Sequence, residues 1–174
     1  VSVIRSRPRT IVLQSFSKVH GLAGMRVGYA LSSDEVIGAL RRVQRPFSVS
    51  RVAIEGALAA LGDDEHFRRT VQGTWTARAK VTKALRELGF TVLPSYANFV
   101  TLVLQSEEVA TRLTNQLLRR GCIIRHLGPF GLPWCVRISM GAADELDSAL
   151  ASVAAVLRDE PQLCRAGSGV ETDR

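Results

Sequence analysis

Between Gly62 and Arg158 the chain alternates helix-forming and strand-forming stretches, each closed by its own punctuation. That alternation restricts it to folds in which helices cover a sheet. After the break Gly62-Asp63-Asp64, a long helical stretch carries Phe67, Val71, Val81, Leu85 and Leu88 on one stripe, interrupted at Thr74 and Arg78. Gly89 ends it, because glycine accepts the left-handed backbone of a helix exit. Residues 91–93 and 98–104 read as strands. Ser106 caps a helix that turns Val109, Leu113 and Leu117 inward, and Gly121 stops it. Residues 122–125 read as a short strand, 128–133 as a loop and 134–139 as another strand. A last helix buries Leu146, Leu150, Val153 and Leu157. Beyond it, residues 159–174 are expected to form a disordered tail.

The first sixty residues hold less. Residues 10–14 predict a buried strand and 26–31 a second one. Ser33-Asp34-Glu35 reads as an N-cap with an acidic first turn, opening a helix that runs to Val43. Residues 46–50 read as an extended link before an alanine-rich helix over 51–61. Two strands and two helices are too little for a core of their own. The expectation is therefore an α/β chain in which residues 1–61 are the end of a larger sheet domain and 62–158 a small C-terminal α/β domain. The opening VSVIRSRPRT has no apolar signal core and no initiator methionine, and reads as entry into the middle of something larger.

Net charge is +7, yet the basic residues are dispersed and aromatic residues make up 6% of the chain. No basic–aromatic alternation suits stacking on single strands, so nucleic acid is not expected as a partner. No apolar run approaches about 20 residues, so no membrane span is expected. The three cysteines, Cys122, Cys135 and Cys164, form no CxxC pair and stand in no histidine cluster. They read as free thiols in a reducing cytoplasm, with no metal site.

One segment carries chemistry: SFSKVHGLAGMRVGY, residues 15–29. A free lysine amine has a pKa near ~10.4, leaving fewer than roughly one in a thousand neutral at pH 7. Using it as a nucleophile requires burial or a neighbouring cation. Lys18 stands at the end of an apolar strand among glycines that permit close approach, with Ser15, Ser17 and the anion-holding Arg26 nearby. An imine-forming lysine beside a phosphate clamp is what pyridoxal phosphate requires.

The segment resembles the cofactor-lysine motif of class I/II (fold type I) aminotransferases, and most of all their histidinol-phosphate and aromatic branches. The resemblance continues through PFSVS at 46–50, SYANFV at 95–100, GCIIR at 121–125, GPFGLP at 128–133 and VRISMG at 136–141. It implies that Lys18 carries pyridoxal 5'-phosphate as a Schiff base and that Ser15, Ser17 and Arg26 lie at its phosphate. Arg137 would hold the anionic end of the substrate, Arg125 would join it where that end is a phosphate, and Asn98 would line the substrate side. His20, at a variable position of the motif, is expected to pack beside the site. Trp134 takes a position that is commonly polar and bears on loop packing and substrate preference.

The implied reaction moves an amino group from histidinol phosphate, or an aromatic amino acid, to a 2-oxo acid such as 2-oxoglutarate, in a cytoplasmic homodimer. In the family the aspartate at the pyridine nitrogen, the aromatic stacked on the ring and the glycine-rich phosphate loop all precede the lysine motif. They are not among these residues, so this chain alone is expected to turn over little or not at all. Other classes remain open: a cofactor-binding regulatory module, a non-catalytic remnant, or a related phospho-amino-acid decarboxylase.

Overall fold

The computed structural model describes residues 2–164. The chain divides into two compact units, Val1–Val71 and Gln72–Arg174.

The first unit opens with a short helix, α1 (Ser2–Ser6), which the sequence did not announce. Strands β1 (Val12–Ser15) and β2 (Gly28–Leu31) pair antiparallel, with Ser15 opposite Gly28. The second strand starts two residues later than the expected 26. Arg26 is left-handed, with φ 53°, and cannot continue a pleat. Helices α2 (Asp34–Val43) and α3 (Arg51–Leu61) match the expected spans. Ser33 precedes α2 as expected, but its hydroxyl donates to Pro8 O instead of serving the helix (2.8 Å). The link before α3 is not extended: Phe47 has φ 54° and makes a turn. Ser50 caps α3 by accepting from Ala53 N (3.2 Å).

Helix α4 (Asp64–Glu87) runs across the division, which therefore falls ten residues beyond the expected boundary at 61/62. The reason is local. The first turns of α4 belong with the lysine segment, through a bond from His66 Nε2 to Val19 O (3.0 Å) and a ring contact of Phe67 with His20 (5.7 Å).

In the second unit, β3 (Thr91–Val92), β4 (Phe99–Val103), β5 (Arg125–His126) and β6 (Cys135–Ser139) form an antiparallel sheet in the order β3-β4-β6-β5. β5 begins only at Arg125. The Cys122 amide instead closes the preceding helix on Leu117 O (2.9 Å). The core packs Val100, Leu102, Val136 and Ile138 from the sheet against Val81 and Leu85 of α4, Leu113 and Leu117 of α5 (Glu107–Arg119), and Leu146 and Val153 of α6 (Ala143–Asp159). Alternate strand residues thus face the helices, and their neighbours Thr101 and Arg137 lie on the opposite face.

The segment expected to be disordered from 159 is built into this core as far as it is described. Asp159 completes α6 and bonds Arg120 (2.7 Å). Glu160 is buried and takes Arg112 Nε and Gln116 Nε2. Leu163, on a 3-10 turn over Pro161–Cys164, is only 2% exposed. Residues 165–174 of the expected tail lie outside the described residues.

Candidate functional site

The lysine segment is a tight reversal between β1 and β2. Phe16, 3% exposed, is its anchor: its carbonyl accepts from Leu22 N (3.0 Å) and its amide bonds Val27 O (3.2 Å). Gly21, with φ 68°, closes a turn onto Lys18 O (2.9 Å). A Cβ at Gly28 would stand 2.6 Å from Gln14 O, so the close pairing of the strands at this point requires glycine.

Within this frame Lys18 is exposed, and its amine has no hydrogen-bond or ion-pair partner among the described residues. Ser15 Oγ accepts from Ser17 N (3.0 Å), which leaves both hydroxyl protons to donate outward. Arg26 gives one N–H to Ala23 O (2.8 Å) and retains its other donors. Two hydroxyls, a guanidinium and an amine on one short loop make a donor set that fits a phosphorylated aldehyde such as pyridoxal phosphate.

His20 packs as expected, its ring 4.9 Å from that of Phe16. His66 went unnoticed in the sequence. It acts across 47 residues on the carbonyl beside Lys18, a contact no local spacing encodes.

In the second unit, β5 and β6 place Arg125 directly opposite Arg137, and Thr101 lies across from Arg137 on β4. Like charges in register destabilise a sheet. Here each guanidinium sits over an aromatic face: Arg137 over Phe99 (4.9 Å) and Arg125 over Phe130 (5.1 Å). Neither arginine pairs with a carboxylate among the described residues, and the half-buried Arg137 leaves its Nε buried without a partner. Two unneutralised guanidiniums on paired residues have the chemistry to take a dianion.

Asn98 stands just before β4, exposed, with its carbonyl taking Met140 N (2.8 Å) and its side chain unbonded among the described residues. Trp134 is half-exposed at the end of the 128–133 loop, and its carbonyl ties the loop to Leu104 N (2.9 Å). The structure thus places Ser15 at the end of β1, Ser17, Lys18 and Arg26 on the reversal that follows it, and Arg125 opposite Arg137 in the second unit.

Known structures share this architecture. The histidinol-phosphate aminotransferase of Sinorhizobium meliloti, solved in complex with pyridoxal-5'-phosphate, superposes with a TM-score of 0.79 at 30% identity, over 88% of this chain and 42% of that one. The fold is that of the fold type I aminotransferases. The chain belongs to the aminotransferase class I and II family, whose model matches residues 2–153. Among curated relatives, histidinol-phosphate aminotransferase 2 of Methylococcus capsulatus is 41% identical over 150 residues, covering 86% of this chain and 40% of that protein. An aromatic amino acid aminotransferase of Mycobacteroides abscessus is likewise 41% identical, over 86% of this chain and 42% of its own length. The chain spans about two fifths of the length of these relatives.

Proposed function

We propose that the protein is a pyridoxal-phosphate-dependent aminotransferase whose amino donor is histidinol phosphate and whose acceptor is a 2-oxo acid. The observation that carries the choice of donor is the register of Arg125 against Arg137. A single guanidinium suffices for a carboxylate, whereas two adjacent and unneutralised ones suit a phosphate dianion.

Lys18 Nζ is the attachment point for the cofactor's aldehyde. Arg26, with the hydroxyls of Ser15 and Ser17, holds the cofactor's phosphate and so fixes the ring relative to the lysine. When bound, pyridoxal phosphate supplies an electron sink for the charge left as a C–H bond beside the substrate nitrogen breaks. The free Lys18 amine takes the proton from that carbon and returns it elsewhere, which is general base and then general acid work. Arg137 and Arg125 grip the anionic end of the donor, with Asn98 on the same unit beside them. Positioning of this kind contributes on the order of 7–11 kcal/mol at its best. A homodimer of the whole protein belongs to the same reading.

The test compares histidinol phosphate with phenylalanine as donors to 2-oxoglutarate, using protein that carries the full length of its relatives. The expected result is a preference for histidinol phosphate. Arg125→Gln should raise its KM about tenfold or more, the loss of one charge-assisted contact of about 1.5–3 kcal/mol, and should leave phenylalanine nearly unaffected. Equal use of both donors by the parent enzyme would instead support an aromatic aminotransferase, and would defeat the phosphate reading of Arg125.

A further inference from the structure

The loop between β5 and β6 is more highly built than a connection needs to be. Leu127, 8% exposed, roots it: its amide bonds Cys135 O (2.9 Å), and its carbonyl accepts from both Phe130 N (2.9 Å) and Leu132 N (3.2 Å). Gly131, with φ 78°, closes a 3-10 turn on Gly128 O (3.0 Å). His126 Nδ1 accepts from Gly128 N (3.1 Å), and its ring lies so near that a Cβ at Gly128 would stand 2.9 Å from it. That bond requires the proton on Nε2, an atom that is buried without a partner. Of the apolar side chains this loop exposes, Phe130 is the most open, at 60%, and it is the one that lies beneath the Arg125 guanidinium.

We propose that Phe130, on a loop locked by His126, is a positioning residue that holds the Arg125 guanidinium beside Arg137, ready for the anionic group of the substrate. The inference rests on reading Arg125 and Arg137 as an anion receptor. An exposed arginine with no carboxylate partner would otherwise spread over many rotamers, and ordering it on binding would consume affinity. The aromatic face orders the guanidinium and attracts its charge, while leaving its N–H edge free. A carboxylate in the same place would order it and neutralise it. The aromatic support is therefore the arrangement that keeps the pair ready for an anion.

The test uses the full chain with inorganic phosphate as the probe. Arginine Nε–H resonances report the ring current of Phe130 on Arg125, and calorimetric titration reports phosphate affinity. Phe130→Leu keeps apolar volume and removes the π face, whereas Phe130→Tyr keeps the face. The expected result is that Leu abolishes the ring-current shift and weakens phosphate binding about three- to fivefold, the size of an exposed cation–π contact, while Tyr preserves both. If Phe130→Leu binds phosphate like the parent chain while Arg125→Gln does not, the positioning role is overturned and the receptor stands. If Arg125→Gln and Arg137→Gln both bind phosphate like the parent chain, the receptor is overturned, and the role of Phe130 falls with it.

Discussion

Ser106 Oγ accepts from Val109 N (3.3 Å) at the start of α5 and also bonds the Glu108 carboxylate. The second bond holds the Glu108 pKa below its ordinary value of 4.5, with a smaller contribution from its own backbone amide. Because the folded value is depressed, this contribution to stability is complete above pH 4.5 and is lost as pH falls through the lower, folded value. Ser106→Ala should lower stability by about 1 kcal/mol through the lost cap, and should flatten the acid side of the stability curve. Denaturant melts from pH 3 to 7 would check both. The cap at Ser106 was legible because an N-cap is a local signal, a hydroxyl just ahead of an apolar periodicity, whereas Ser33, read the same way, gives its hydroxyl to Pro8 O and the cap at Ser50 was not read at all. The left-handed Arg26 and Phe47 were not legible, since nothing in either residue type favours positive φ and each is held by its surroundings. His66 has the same explanation: its partner lies 47 residues away. A His66→Ala chain should show faster amide exchange at Gly21, whose bond to Lys18 O closes the lysine turn, with exchange in α5 unchanged.

At the scale of elements, five helices stood where the periodicity placed them, because several local signals agree: apolar stripes throughout, with a terminal glycine closing α3, α4 and α5. The short strands shifted. β5 keeps only Arg125 from its expected span, since a two-residue strand is defined by its partner β6 and not by its own composition. The row Arg125–Arg137–Thr101 follows from that pairing, and the stacking of each guanidinium on a phenylalanine follows from the row and the adjoining loop. The sequence named both arginines and put them on neighbouring strands, but their aromatic supports are joined to them only through space. Residues 159–164 depart from the expected tail for a similar reason. Pro161-Gln162-Leu163-Cys164 looks like a linker, yet Leu163 fills the core beside α6. Leu163→Ala should cost about 2–5 kcal/mol, measured by urea unfolding; a change under about 0.5 kcal/mol would show that this turn contributes nothing to the core.

For the molecule as a whole, each unit carries one recognisable part of the proposed chemistry: the lysine turn with its donors in the first, the paired guanidiniums in the second. The thiols test the packing of the second unit. Burial raises the pKa of both Cys122 and Cys135 above the ordinary 9.0. Desolvation favours their neutral forms, so this stabilisation holds below pH 9 and is lost as pH rises towards the raised, folded values. Iodoacetamide at pH 8 should therefore leave Cys135, 2% exposed, unmodified until the chain unfolds, and should label Cys122 more slowly than an unfolded thiol. Peptide mapping over time checks this, and immediate labelling of Cys135 would contradict its burial in the sheet. The identity of the lysine bears most directly on the whole account. Pyridoxal phosphate is added to the chain, the adduct is reduced with borohydride and the labelled peptide is mapped. Label is expected at Lys18, lost in Lys18→Ala and weakened in Arg26→Gln; label at another lysine, or none, would contradict the assignment of Lys18 as the cofactor lysine.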